Sequence, residues 1–248
     1  EGRGVGIRAL APLPFDVSRS LQVFFQHLAR QEAKGCYPRY LWGEQSYWTP
    51  VGSVAGGGQG LLNEEGLFEL DGGECSIEPF LWVDGHLQSW TEADITQGLE
   101  EDYLPIPSVL WRLAGLELEI AACALGPADQ THFQLGYRLR NSHINSKRLR
   151  LFLAIRPFQV TPPWQEFHHF GGVTPIRELA WRAEAVWVNQ SRRIQPLDPP
   201  SGFGVAAFDQ GEIVTGYLQQ GELPSQTEVS DPFGQASGAL VWELELAP

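Results

Sequence analysis

Methionine is missing from this 248-residue sequence, cysteine occurs 3 times, and basic side chains are scarce, with 17 Lys and Arg against 30 Asp and Glu for a formal charge of −13. Each shortage excludes something. So few cations cannot neutralise nucleic-acid phosphates or anionic lipid, and neutral partners fit better. Cys36, Cys75 and Cys123 are odd in number, form no C-x-x-C pair and have no His at zinc-ligand spacing. They describe neither a disulfide framework nor a zinc site, and leave open at most one isolated bridge. No run approaches the ~20 apolar residues that span a bilayer, and the N-terminus lacks the blocks of a signal peptide. The chain holds no G-x-S-x-G nucleophile elbow, and "SVAGGGQG" (53–60) lacks the Lys-Ser/Thr ending of a phosphate loop. With Glu1 at its start and no Met, the sequence reads as a piece of something longer, which leaves its compartment open.

What is present favours a globular β-protein. Hydrophobic residues make up 43% and charged ones 19%, and 27 Gly, 18 Pro and 9 Trp suit short strands joined by turns. One helix is expected over 16–34, where Leu21, Phe24, Phe25 and Leu28 recur at helical spacing, Ser18 or Ser20 caps, and Gly35 terminates. Residues 1–15 read as a linker from a preceding region. From Leu61 onward the pattern is alternation. Asp71-Gly72 and Asp84-Gly85 are hairpin signals, and "GLELEIAACAL", "HFQLGYRLRN", "ELAWRAEAVWVNQ", "FGVAAFD", "EIVTGYL" and "ALVWELELA" all read as strands. At the usual spacing, 61–248 holds roughly 16 to 20 strands. The expectation is a mostly β chain: a large antiparallel two-sheet supersandwich with one N-terminal helix, forming a single domain over 16–248. Two packed β-domains are the alternative, and a propeller is weaker because no repeat is evident.

Candidate acids are numerous, among them Glu44, Glu64, Glu65, Glu78, Asp84, Glu100, Glu101 and Asp102. Spacing cannot select a facing pair from so many, and a solvated surface is the plainer reading. His168 and His169 point to opposite faces if they lie on a strand, so no metal site is assigned. "NQS" at 189–191 fits a glycosylation sequon but reads as chance inside a strand.

Aromatic residues are more informative. In "YLWGEQSYWTPVG" (40–52), Tyr40, Trp42, Tyr47 and Trp48 surround Glu44 and Gln45, as on surfaces that hold a pyranose, although such rings also plug sandwich ends. "RLRLFLAIRPFQVTPPWQ" (148–165) sets Leu149, Leu151, Leu153 and Ile155 on one face and Arg150, Phe152 and Arg156 on the other. That second face suits a cover supplied by another domain or a sugar, or else an edge strand protected by charge. Pro157 and Pro162-Pro163 would turn the chain outward and present Trp164 at the rim. The candidate carbohydrate-binding or domain-interface residues are therefore Trp42, Glu44, Trp48, Arg150, Arg156 and Trp164, with no catalytic or metal-binding residue assigned.

Four stretches, "CYPRYLWGEQSYWTPVG", "SIEPFLWVDGHLQSWTEADITQGLEEDYLPIPSVLWR", "RLRLFLAIRPFQVTPPWQ" and "GGVTPIREL", resemble a module of large multidomain bacterial proteins. In that family a β-supersandwich, similar to galactose mutarotase and to the N-terminal domain of cellobiose phosphorylase, precedes an (α/α) six-hairpin barrel. A discoidin-like (coagulation factor 5/8 type C) segment often accompanies it. The resemblance covers about Phe15 to Pro248. It implies a non-catalytic module of a glycoside hydrolase or phosphorylase, partnered by the barrel of the same parent chain and by carbohydrate; no cofactor is assigned, and the charge balance argues against nucleic acid or a membrane as partner. It also implies a bacterial protein, cytoplasmic or exported. A free-standing carbohydrate-binding module and an aldose epimerase are the alternatives. The epimerase would need a His and a Glu converging on the sugar, and none of the six histidines matches that pattern.

Overall fold

The computed structural model describes residues 21–70, 74–160, 172–208 and 213–248. The chain begins with α1 (Leu21–Ala29), β1 (Trp48–Gly52), β2 (Gln59–Asn63), β3 (Phe68–Glu69), β4 (Ser76–Val83) and β5 (His86–Gln88). It continues with β6 (Asp94–Leu99), β7 (Pro107–Leu113), β8 (Leu116–Leu125), β9 (His132–Asn141), β10 (Lys147–Arg156), β11 (Glu178–Arg182) and β12 (Ala185–Val188). The last elements are β13 (Arg192–Ile194), β14 (Gly202–Ala206), α2 (Val214–Leu218), β15 (Glu228–Ser230) and β16 (Ser237–Leu246).

Among the described residues all pairings between these strands are antiparallel, and one isolated parallel bridge joins Ile176 to Gln235. One 8-stranded sheet runs β1-β2-β3-β4-β10-β16-β14 with β5 beside β4, and two 4-stranded sheets run β6-β7-β8-β9 and β13-β12-β11-β15. Strand alternation explains how they stack. Ile77, Leu81 and Val83 of β4, Leu149, Leu151, Leu153 and Ile155 of β10, and Leu240 of β16 share one face of the large sheet. They form one hydrophobic cluster with Val109, Trp111, Leu118 and Ile120 of one smaller sheet and Leu179, Val186, Val188 and Val229 of the other. The expected sandwich is present, with its second layer divided between two sheets. Each fully buried Leu or Phe in such a core stabilises by ~1.5–3 kcal/mol.

The opposite face of the large sheet's central strands is covered as well. Phe80, Phe152, Ala154, Ala239 and Val241 pack against Val214 and Leu218 of α2. Beside them, Phe25 of α1 joins Tyr37, Tyr40, Leu41 and Phe158 in a second apolar cluster.

Local expectations held where periodicity was strong. Asp84 and Gly85, both with positive φ, make the two-residue turn between β4 and β5, the backbone geometry that a Gly at the second position permits. The Asp71-Gly72 turn lies outside the described residues. The N-terminal helix is shorter than expected: its end is tightened by Gln31 N–H donating to Leu28 O and Glu32 N–H to Ala29 O, so it stops at Ala29 rather than Lys34. Residues 16–20, with the candidate caps, lie outside the described residues. "EIVTGYL" is not a strand. Val214 and Leu218 stand four residues apart and both face the large sheet, a spacing that a helical turn shares with a strand, and the chain here turns as a helix that closes with Gln219 N–H donating to Thr215 O.

Candidate functional site

The stretch from Arg39 to Trp48 turns once as a 3₁₀ helix, Arg39–Trp42, passes through left-handed Gly43, and enters β1, the outermost strand of the large sheet among the described residues. Trp42 is half-buried against the Phe25–Tyr37–Phe158 cluster. Trp48 is half-buried at the start of β1, and Tyr47 beside it is 61% exposed. Glu44 accepts from Lys34 Nζ at 2.5 Å and lies 3.9 Å from Arg39 Nε.

Arg39 is the centre of this rim. Its guanidinium pairs with Glu65, reaches Glu64 at 3.9 Å, and stands 5.0 Å from the ring centre of Trp90. Lys34 Nζ stands 5.7 Å from the same ring. Glu65 is buried and locked from several sides. Asn63 Oδ1 accepts from the N–H of Glu65 and of Leu67, which fixes the amide so that its Nδ2 donates to Glu65 Oε2 at 2.8 Å. Trp111 Nε1 donates to the Glu65 carbonyl at 2.8 Å. Burial pushes the Glu65 carboxyl up to about 8, against the pull of the Arg39 guanidinium. Burial also raises Glu64, against hydrogen bonds from backbone N–H groups and the charge of Arg39.

The second face of β10 departs from the expectation that a foreign domain or a sugar covers it. Arg156 is 2% exposed. It pairs with buried Glu78 on the neighbouring strand, and its Nη1 donates to Cys36 O at 2.6 Å. Its charge faces three rings, with Phe158 nearest at 4.9 Å to the ring centre, then Phe80 and Tyr37. Burial raises the Glu78 carboxyl and the Arg156 charge opposes it. The cover over Arg156 thus comes from this chain, because a buried guanidinium requires the carboxylate, carbonyl and ring faces that these segments provide. Arg150 is partly exposed and bound by internal contacts: Nε donates to Glu243 at 3.0 Å, Nη1 donates to Gly221 O at 2.5 Å, and the guanidinium stands 5.4 Å from the Trp82 ring. Arg148 and Arg150 lie directly opposite Glu245 and Glu243 in register, which answers why a core strand carries them. Trp164, the double proline and His168-His169 lie outside the described residues.

Trp42, Glu44 and Trp48 therefore share one rim, while Arg150 and Arg156 are spread along the covered face of β10. Sequence reasoning missed Arg39 and Trp90 as the centre of that rim. A signal for Trp90 was available: Ser89 and Glu92 form a reciprocal capping box around it, the S-x-x-E spacing readable in "SWTE".

Compared with known proteins, the chain matches no family model, and no curated protein is significantly similar to it. Among the described residues, no three His, Cys, Asp or Glu side chains are grouped to hold a metal ion, and no helix is long and apolar enough to cross a membrane. The three cysteines are free thiols.

Proposed function

We propose that the chain is a non-catalytic β-sandwich module of a carbohydrate-active enzyme, a glycoside hydrolase or phosphorylase, that packs on a helical-barrel catalytic domain of the same parent and helps shape its carbohydrate site. The supporting observation is how the motif-bearing stretches spend their charged residues. Arg39 stacks on Trp90, Arg156 pairs with Glu78 and binds Cys36 O, and Tyr40 Oη donates to Gly172 O, so four segments far apart in sequence hold one another in place. Glu65 and Glu78 expose only 3% and 4% of their side chains and are held by Arg39 and Arg156, which suits a scaffold and keeps a glycosidic oxygen out of their reach. What the same stretches leave toward solvent is an aromatic and ionic rim, Tyr47, Trp48 and Glu44, suited to meeting a neighbouring domain or a sugar chain.

Deleting residues 16–248 from the parent enzyme should cost solubility or glycoside turnover, and the isolated module should turn over no glycoside. Undiminished activity in the deletion rejects the proposal.

A further inference from the structure

The outer face of the smaller sheet β13-β12-β11-β15, remote from the rim in sequence, carries a groove of about 320 Å³. Inward-facing Val186 and Val188 flank Trp187 on β12, which parity therefore turns outward, half-buried. Its direct cross-strand neighbours are Ala180 on β11, which sets only a methyl opposite the ring, and Arg193 on β13. Around this floor stand Glu178, Arg182, Gln190, Glu228 and Ser230. Arg182 pairs with Glu228 and Gln190 donates to Glu178, which holds four of these polar groups in place at the groove's margin. Arg182 and Glu228 keep more than half of their side-chain surface in water, so their remaining hydrogen-bonding positions are reachable.

We propose that this groove binds one pyranose ring of a neutral carbohydrate. A sugar ring has an apolar C–H face and a periphery of hydroxyls that both donate and accept. An indole face beside a small residue takes the first, and carboxylate, guanidinium, amide and hydroxyl groups take the second. The size lies at the lower end of the ~300–1,000 Å³ that small-molecule sites occupy, enough for one ring rather than a chain. Charge sets the class. Glu178 and Glu228 are balanced by Arg182 and by Arg193, and the chain carries a net charge of −13, so no surplus positive charge is left to hold a phosphate or a uronic acid and an uncharged ring is favoured. The groove stands independently of docking to a catalytic barrel, and a variant that loses sugar here should leave such docking intact.

The test uses the chain labelled with 5-fluorotryptophan, in which each of the 9 tryptophans gives a fluorine resonance. The Trp187 line is the one missing from Trp187→Phe. Methyl glucoside, methyl galactoside and xylose are titrated, with glucuronate and tetramethylammonium as charged controls. The expected result is a saturable shift of the Trp187 line with at least one neutral sugar and none with glucuronate. Affinity should fall about tenfold in Trp187→Ala and about fivefold in Glu228→Gln, with unchanged circular dichroism. If Trp187→Ala fails to fold, the exposed Glu228→Gln and Gln190→Ala variants carry the same test. A Trp187 line unmoved by all three sugars overturns the proposal, as does a shift with tetramethylammonium alone or binding unaffected by these variants.

Discussion

Replacing Arg156 by Ala tests the interior logic of the large sheet. Arg156 and Glu78 expose 3% and 4% of their side chains, so removing the guanidinium leaves a carboxylate in an apolar site and frees the Cys36 carbonyl from its donor. Breaking a buried pair from one side costs about 3–5 kcal/mol, which for a chain of this length is a fall in Tm of roughly 6–20 °C. Replacing both partners, as Glu78→Leu with Arg156→Met, should restore much of the loss because no charge is left unpaired. The penalty should also depend on pH. Without its partner, Glu78 enters the fold protonated, its folded-state pKa lies above its unfolded value near 4.5, and stability falls as pH rises through that window. Urea denaturation followed by tryptophan fluorescence, at about pH 5 and about pH 8, measures all three quantities. A loss below about 1 kcal/mol for Arg156→Ala, with ligand or domain binding weakened instead, would refute the reasoning.

Arg150→Ala is the less buried case: its exposed ion pair with Glu243 contributes ~0–1 kcal/mol and its hydrogen bond to the Gly221 carbonyl about 1 kcal/mol, so the expected cost in the same denaturation experiment is ~1–2 kcal/mol, and a cost equal to that of Arg156→Ala contradicts the difference in burial. For Glu65, raised to about 8 by burial, the contribution to stability is complete below the unfolded-state value near 4.5 and declines as pH rises toward 8; Glu65→Gln should flatten that decline, and parallel pH profiles for both proteins would count against it. Gly221 has φ +72°, and a Cβ there would lie 2.5 Å from Trp82 Cε2 while its carbonyl receives Arg150. Gly221→Ala should therefore cost ~1–3 kcal/mol in thermal unfolding, and an unchanged Tm would show that the turn relaxes without strain.

Strand identity and facing were largely legible, because alternation is a local property. The core faces of β8, β9, β10 and β16 follow directly from "LELEI", "FQLGY", "LRLFLAI" and "LVWELEL". What covers a face is not local. Phe152 and Arg156 announced a cover, but only tertiary folding decides whether it comes from the same chain, and here α1, α2 and Tyr37 provide it. The misreading of "EIVTGYL" has the same origin: two apolar residues four apart suit a helix or a strand until the surface beneath them is known. The rim was half legible. Its aromatic residues stand together in sequence, whereas Arg39, Glu65 and Trp90 meet only in space.

The placement of β10 has a consequence for synthesis. It lies between β4 and β16, and β16 in turn supplies the only described ladder that reaches β14. A ribosome must release residues near 246 before the second edge of β10 can be covered, so a nascent chain carries an apolar strand with an open edge from the completion of Arg156 until β16 follows, about 90 residues later. Such an edge invites pairing with another chain. Arg148 and Arg150, before they meet Glu245 and Glu243, put positive charge on that waiting edge and resist association with a second copy of the same strand.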